Sequence, residues 1–144
     1  MLLLDASVWI AAFDRDDSFY GSARKLVLSR AHALGALDLA FYEVSNVVGA
    51  VKGQRQLADR MCRLIVKRSR HNLVRISPAL AEQATKLAAE HALTAYDAAY
   101  LAAARRRGWT LVSSDLKDLV KPGLAIAPDK VLTADEQPPA EPRP

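Results

Sequence analysis

The stretch Leu2-Leu3-Leu4-Asp5-Ala6-Ser7-Val8 decides the fold of this 144-residue chain. Three consecutive leucines form an apolar run of strand length, and Asp5 ends it at once. From Ala6 to Phe13 apolar residues recur at helical spacing, so the opening reads as a buried strand feeding a helix. The same pattern recurs downstream. Ser18 to Ala33 carries Ala23, Leu26 and Val27 on one helical stripe, and Leu37 to Phe41 reads as a second short buried run. Glu43 follows that run directly and opens a predicted helix, Val44 to Val51.

Beyond the polar break Lys52-Gly53-Gln54, the residues Leu57, Met61, Leu64 and Ile65 return to helical spacing, and Leu73-Val74-Arg75-Ile76 reads as a strand. Ser77-Pro78 is a helix start, with serine as N-cap and proline in the first turn, and that helix is expected to reach about His91. Thr94 begins another, which Gly108 stops. Trp109 to Val112 is then a strand that runs into Ser113-Ser114-Asp115, and Leu124 to Ile126 offers a last, short edge strand.

Short buried strands alternating with helices imply an α/β fold, in which a short, mostly parallel central sheet is flanked by helices on both faces. The length suits one domain, expected over residues 1–132. Residues 133–144, with Pro138, Pro139, Pro142 and Pro144 and no apolar period, are expected to form a flexible tail. There is no internal repeat.

Hydrophobic residues make up 51% and charged residues 25%, the balance of an ordinary globular protein. No basic segment precedes the leucines and Asp5 interrupts them, so a signal peptide is not expected. No other run approaches the roughly 20 apolar residues that span a bilayer, which points to a cytoplasmic protein without membrane contact. Cys62 is the only cysteine, so neither an intrachain disulfide nor a thiolate-rich metal site can form. The net charge is +4, and the excess clusters at Lys67-Arg68-Ser69-Arg70-His71 and Arg105-Arg106-Arg107. Such clusters either contact a phosphate backbone or are solvated helix ends favoured by the dipole.

Four acids stand out: Asp5, Glu43, Asp97 and Asp115. Each has a structural explanation, as N-cap, first-turn charge or turn former. Together they read differently. Asp5, Glu43 and Asp115 each follow a strand-like run, which brings them to the carboxyl edge of one parallel sheet, and Asp97 heads the neighbouring helix. Carboxylates gathered in this way repel one another, a cost that a bound cation offsets. Oxygen ligands without Cys or His suit Mg²⁺, with Mn²⁺ as substitute, and such a site can activate water against a phosphodiester. Ser7 and Ser113, each two residues from an acid, either support the carboxylates or are ordinary turn residues.

Leu3-Leu4-Asp5-Ala6-Ser7-Val8, Tyr42-Glu43-Val44-Ser45-Asn46, Tyr96-Asp97-Ala98-Ala99-Tyr100-Leu101-Ala102 and Leu111-Val112-Ser113-Ser114-Asp115 resemble, in this order, the four signature segments of the PIN-domain family. The match is closest to the VapC toxins of bacterial and archaeal toxin–antitoxin pairs and covers roughly Met1 to Ile126. The resemblance implies a Mg²⁺-dependent endoribonuclease, usually a homodimer, restrained by an antitoxin whose C-terminal segment wraps it. By position it assigns the ligand roles to Asp5, Glu43, Asp97 and Asp115, with Asp118 as an additional acid. Ser113 stands where the family often has threonine, which preserves the hydroxyl.

Other classes fit less well. A receiver domain would explain strand-end acids and Lys121-Pro122, but it needs adjacent acids after the first strand, whereas Asp5 stands alone. A haloacid-dehalogenase-like phosphatase needs an aspartate where Ser7 sits. A non-catalytic RNA-binding module of the same fold is opposed by the four intact acids. Neither a Gly-x-Gly-x-x-Gly nor a Walker-type loop occurs.

Overall fold

The computed structural model describes residues 1–135, and the helix that closes it reaches three residues into the segment expected as tail; the rest of that segment lies outside the described residues. Four parallel strands, β1 (Leu2–Leu4), β2 (Leu34–Leu37), β3 (Leu73–Val74) and β4 (Thr110–Val112), form one sheet in the order β3-β2-β1-β4. The helices are α1 (Ala6–Ala11), α2 (Tyr20–Leu28), α3 (Leu39–Val44), α4 (Arg55–Ser69), α5 (Pro78–His91), α6 (Ala95–Arg107) and α7 (Pro128–Asp135).

The strand order carries the functional consequence. The chain steps from β1 to β2 to β3 in one direction and then returns to the other side of β1 as β4. Right-handed crossovers therefore put α1 to α4 on one face of the sheet and α5 and α6 on the other. The reversal between β1 and β4 is the topological switch point, where a crevice opens beyond the carboxyl ends of the strands. Asp5 and the segment Ser113-Ser114-Asp115 both lie there.

The core explains the helical boundaries. Leu3, Leu4, Leu34 and Leu37 are fully buried in the sheet, and Val8, Trp9, Leu26, Val27, Met61 and Ile65 cover its first face. On α6 every residue from Ala98 to Ala104 is buried, because five of them are alanines small enough to let the helix lie close to β4 and α5. Ser77 caps α5 by accepting from Leu80 N–H at 3.2 Å, with Pro78 in its first turn as the sequence indicates. Gly108, at φ 65°, ends α6 in the left-handed conformation. No helix among the described residues is long and apolar enough to cross a membrane.

Three elements differ from the sequence reading. The second strand is Leu34–Leu37 rather than Leu37–Phe41, because Gly35 and Ala36 supply its buried middle without bulky side chains. Gly35 is required: a Cβ there would lie 2.5 Å from Cζ3 of Trp109. Residues from Leu39 onward are helical, so Glu43 sits in the second turn of α3 instead of opening a helix, and Ser45–Val51 continues as a π-helical segment. Leu124 to Ile126 forms no strand, only a single parallel bridge between Ile126 and Val112. Among the remaining elements β1, α5 and α6 keep the expected bounds, whereas β3, for example, stops at Val74.

Candidate metal centre at the carboxyl edge of the sheet

Asp5 is the innermost acid, 4% exposed, directly after β1. It is the N-cap of α1, accepting from Val8 N–H at 3.2 Å, and its own N–H donates to Val112 O of β4 at 3.1 Å. The Ser7 hydroxyl donates to Asp5 and accepts from Ser114 N–H at 3.0 Å. Ser113 is completely buried, bonds to Asp5, and accepts from Asp115 N–H at 3.0 Å. The two serines thus fasten the loop after β4 to the carboxylate after β1. Burial nonetheless dominates and raises the Asp5 pKa to about 6; the serine and Val8 hydrogen bonds oppose the rise, and the nearby Glu43 charge adds to it.

Glu43 reaches the edge from α3 and meets α6 there. The Tyr100 hydroxyl donates to Glu43 Oε2 at 2.5 Å and accepts a hydrogen bond from Ala6 N–H. Tyr100 is 2% exposed, and burial, reinforced by the Glu43 charge, holds its phenol far above the ordinary tyrosine range, so it stays protonated as a donor. Burial raises the Glu43 pKa, Tyr100 opposes this, and Asp97 raises it further. Asp97 occupies the first turn of α6 behind the N-cap Thr94, whose Oγ1 accepts from Asp97 N–H at 3.1 Å and donates to Asp97 Oδ2 at 2.9 Å. Its pKa is raised by burial first, then by Asp115 and Asp118.

The acids therefore form a connected file, Asp5 to Glu43 to Asp97 to the Asp115/Asp118 pair, in which neighbours are near enough to repel. Asp115 caps the turn Leu116–Val120 by accepting from Asp118 N–H at 2.9 Å, which sets Asp118 beside it. None of the five makes an ion pair among the described residues, where the ion pairs are Lys52 with Asp14, Lys86 with Glu82 and His91 with Glu90. Among the described residues no three His, Cys, Asp or Glu side chains converge into a ready-made cage for an ion. Lys121 pairs with none of the acids, which removes the feature that a receiver domain would share.

Tyr100 is the site residue that sequence reasoning overlooked. Its position three residues after Asp97 places both on one face of a helix, and that spacing was the available signal.

The basic clusters lie elsewhere. Lys67, Arg68 and Arg70 close α4 just before β3, and Arg105 to Arg107 close α6 just before β4, so both stand at the amino edge of the sheet, opposite the acids. Along α6 alone, ten residues from Asp97 to Arg107 amount to roughly 15 Å. Arg68 is half-buried and structural, donating to Val27 O at 2.7 Å and Ser29 O at 2.5 Å at the end of α2. Arg107 lies over the Trp109 ring at 5.5 Å.

The fold and its file of unpaired acids define a carboxylate-edged α/β domain. The PIN domain family model matches residues 2–121, and the chain belongs to that family. Among solved structures it is similar to a toxin–antitoxin complex from Klebsiella pneumoniae, at 22% identity over 89% of this chain and 98% of that one, with a TM-score of 0.67. A Pyrobaculum aerophilum protein matches at 26% identity over 92% and 87% of the two chains, TM-score 0.66. Mycobacterium tuberculosis VapC20, a sarcin–ricin-loop-cleaving toxin, matches at 19% identity over 85% and 95%, TM-score 0.67. No curated protein sequence matches the chain.

Proposed function

We propose that this protein is a divalent-metal-dependent endoribonuclease, the toxin of a toxin–antitoxin pair, with Asp5, Glu43, Asp97 and Asp115 as its metal-binding and catalytic acids. One observation carries the reading: a file of carboxylates that no cation pairs with among the described residues, ending in a buried aspartate raised to about 6, at the switch point of a parallel sheet. A buried, unpaired charge is costly, and an ion is the compensation that this donor set suits. All donors are oxygens, which favours Mg²⁺ or Mn²⁺ over zinc. A file rather than a closed cage agrees with Mg²⁺, which keeps several waters and uses one or two carboxylates. Asp118 joins as an additional acid.

The ion would supply Lewis acidity and lower the pKa of water, so that no side-chain nucleophile is needed. The chain's own groups prepare the site. Ser7, Ser113 and Val8 N–H hold Asp5 in one orientation, Tyr100 aims Glu43, and Thr94 holds Asp97. RNA as substrate, an antitoxin as partner, a homodimer and a cytoplasmic location belong to the same proposal, which membership of the PIN family and the toxin–antitoxin names of similar structures support. The experiment is cleavage of RNA by the purified chain with Mg²⁺ or Mn²⁺, abolished by EDTA and by Asp97→Asn. Cleavage that survives full chelation overturns the reading.

A further inference from the structure

The residue before each of two site acids is an exposed tyrosine. Tyr42 precedes Glu43 and is 80% exposed; Tyr96 precedes Asp97 and is 62% exposed. Successive residues of a helix point about 100° apart, so while Glu43 turns inward to Tyr100, Tyr42 faces solvent. Both tyrosines line one groove of about 510 Å³, whose floor is apolar, from Ile10, Leu39 and Val47, and whose rim carries the exposed amide of Asn46. Ser7 and Glu43 also line it, so the groove is continuous with the acid site. Its volume lies within the range of small-ligand sites.

Among the described residues no lysine, arginine or histidine lines the groove, so they offer no cation there to hold a phosphate. Two large aromatic side chains, an apolar floor and an amide able to read hydrogen-bonding edges match a flat, neutral, partly polar body. A nucleobase is such a body, and unpaired bases stack on aromatic side chains whatever their sequence. A phosphodiester at the acids carries its bases within one sugar's reach, and the groove begins at Glu43.

We propose that this groove takes an unpaired nucleobase next to the scissile phosphate, stacked against Tyr42 or Tyr96, so that the substrate is single-stranded RNA or a splayed loop. The proposal rests on the ribonuclease reading and adds the subsite that selects unpaired RNA. Asn46 sits where it can favour one base edge over another.

The test uses a short, unstructured oligoribonucleotide containing a fluorescent adenine analogue, bound by the full chain carrying Asp97→Asn so that cleavage is off. Tyr42→Ala and Tyr96→Ala, each added to that protein, are expected to weaken binding about tenfold, the size of one lost base–aromatic stack, and to reduce quenching of the analogue. Tyr42→Phe and Tyr96→Phe keep the ring and should bind as before. In the active enzyme the alanine variants should raise KM while kcat stays within about threefold. A base-paired duplex of the same length should show no dependence on either tyrosine.

If both alanine variants melt like their parent and bind and cleave the oligonucleotide normally, the groove serves another occupant, such as an apolar helix of a protein partner, and the proposal falls while the nuclease reading stands. If the unsubstituted protein binds with tyrosine-dependent quenching yet cleaves nothing under any metal, the nuclease reading falls and the base-binding groove stands.

Discussion

The Tyr100 hydroxyl donates to the Glu43 carboxylate at 2.5 Å and accepts from Ala6 N–H, so one buried phenol joins α6, α3 and the start of α1 above the end of β1. Glu43 would otherwise be a half-buried acid facing Asp5 and Asp97 with no donor to hold it.

Tyr100→Phe keeps the packing and removes only the oxygen. It should cost about 1–2 kcal/mol of stability, since Ala6 N–H loses its acceptor in a buried place. It should also lower kcat more than it changes KM, because Glu43 loses its aim. The diagnostic readout is the pH profile. Tyr100 opposes the upward shift of Glu43, so its loss raises that pKa further and the acid limb of the rate profile should move to higher pH. An unmoved acid limb would reduce Tyr100 to a packing residue.

Asp5 gives a stability prediction with a fixed sign. Its folded pKa, about 6, lies above the unfolded value near 3.8, so the native state binds the extra proton. The contribution is present below the unfolded pKa and is lost as pH rises through about 6, on the order of 3 kcal/mol across that window. In EDTA the melting temperature should therefore fall between about pH 4 and pH 7. Asp5→Asn still accepts from Val8 N–H and should flatten that slope and melt higher than wild type at pH 7. Saturating Mg²⁺ should flatten the wild-type slope as well, because an ion binding only the native state offsets the buried charge. A wild type whose EDTA melts are independent of pH would contradict the burial of an ionised Asp5.

The sequence made these acids legible because their signal is local. A leucine run ending in Asp5, a capped helix start at Thr94 to Asp97 and a strand running into Asp115 can each be read from a few residues, and a parallel sheet brings such ends together. Glu43 was placed at the right edge for a wrong local reason: it reaches the site from the second turn of α3, after a strand whose Gly35-Ala36 middle carries no hydrophobic signature. Tyr100 and the groove below Tyr42 and Tyr96 join α6 to α1 and α3, elements more than 40 positions apart in sequence between Glu43 and Tyr100. No periodicity encodes that encounter. The basic runs were legible as charge but not as place, since only the topology puts helix ends at the amino edge.

Arg70 offers an independent check on the basic edge. It follows α4 with φ 45° and ψ −114°, a conformation that a residue with a Cβ adopts only under strain. Arg70→Gly should relieve it and raise stability by about 1 kcal/mol in thermal or denaturant unfolding. Arg68→Leu should do the reverse by about 1–3 kcal/mol, since it removes two donors from carbonyls at the end of α2. If neutralising Lys67 and Arg105 to Arg107 leaves the salt dependence of RNA binding unchanged, these residues are a solvated edge and not a phosphate track.

Asp97 separates a metal ligand from a helix-start residue by the sign of a stability change. The N-cap of α6 is Thr94, and it bonds to the backbone N–H of Asp97, which Asp97→Asn retains. The Thr94 hydroxyl still finds an acceptor in the asparagine amide oxygen. What the substitution removes is one negative charge beside Glu43, Asp115 and Asp118, so in EDTA the mutant should melt at or above the wild-type temperature. The lost attraction to the helix dipole, about 0.3–1 kcal/mol, works in the opposite sense and is the smaller effect if the repulsion is as the geometry indicates. RNA cleavage should collapse, and the upward shift in melting temperature that Mg²⁺ gives the wild type should shrink. Thr94→Ala provides the contrast: it should lose about 1 kcal/mol with or without metal while keeping most of its Mg²⁺ shift. Melts of the three proteins, with EDTA and with saturating Mg²⁺, read out both effects. An Asp97→Asn protein that melts lower in EDTA, keeps the full Mg²⁺ shift and still cleaves RNA would make Asp97 a helix-start residue and nothing more.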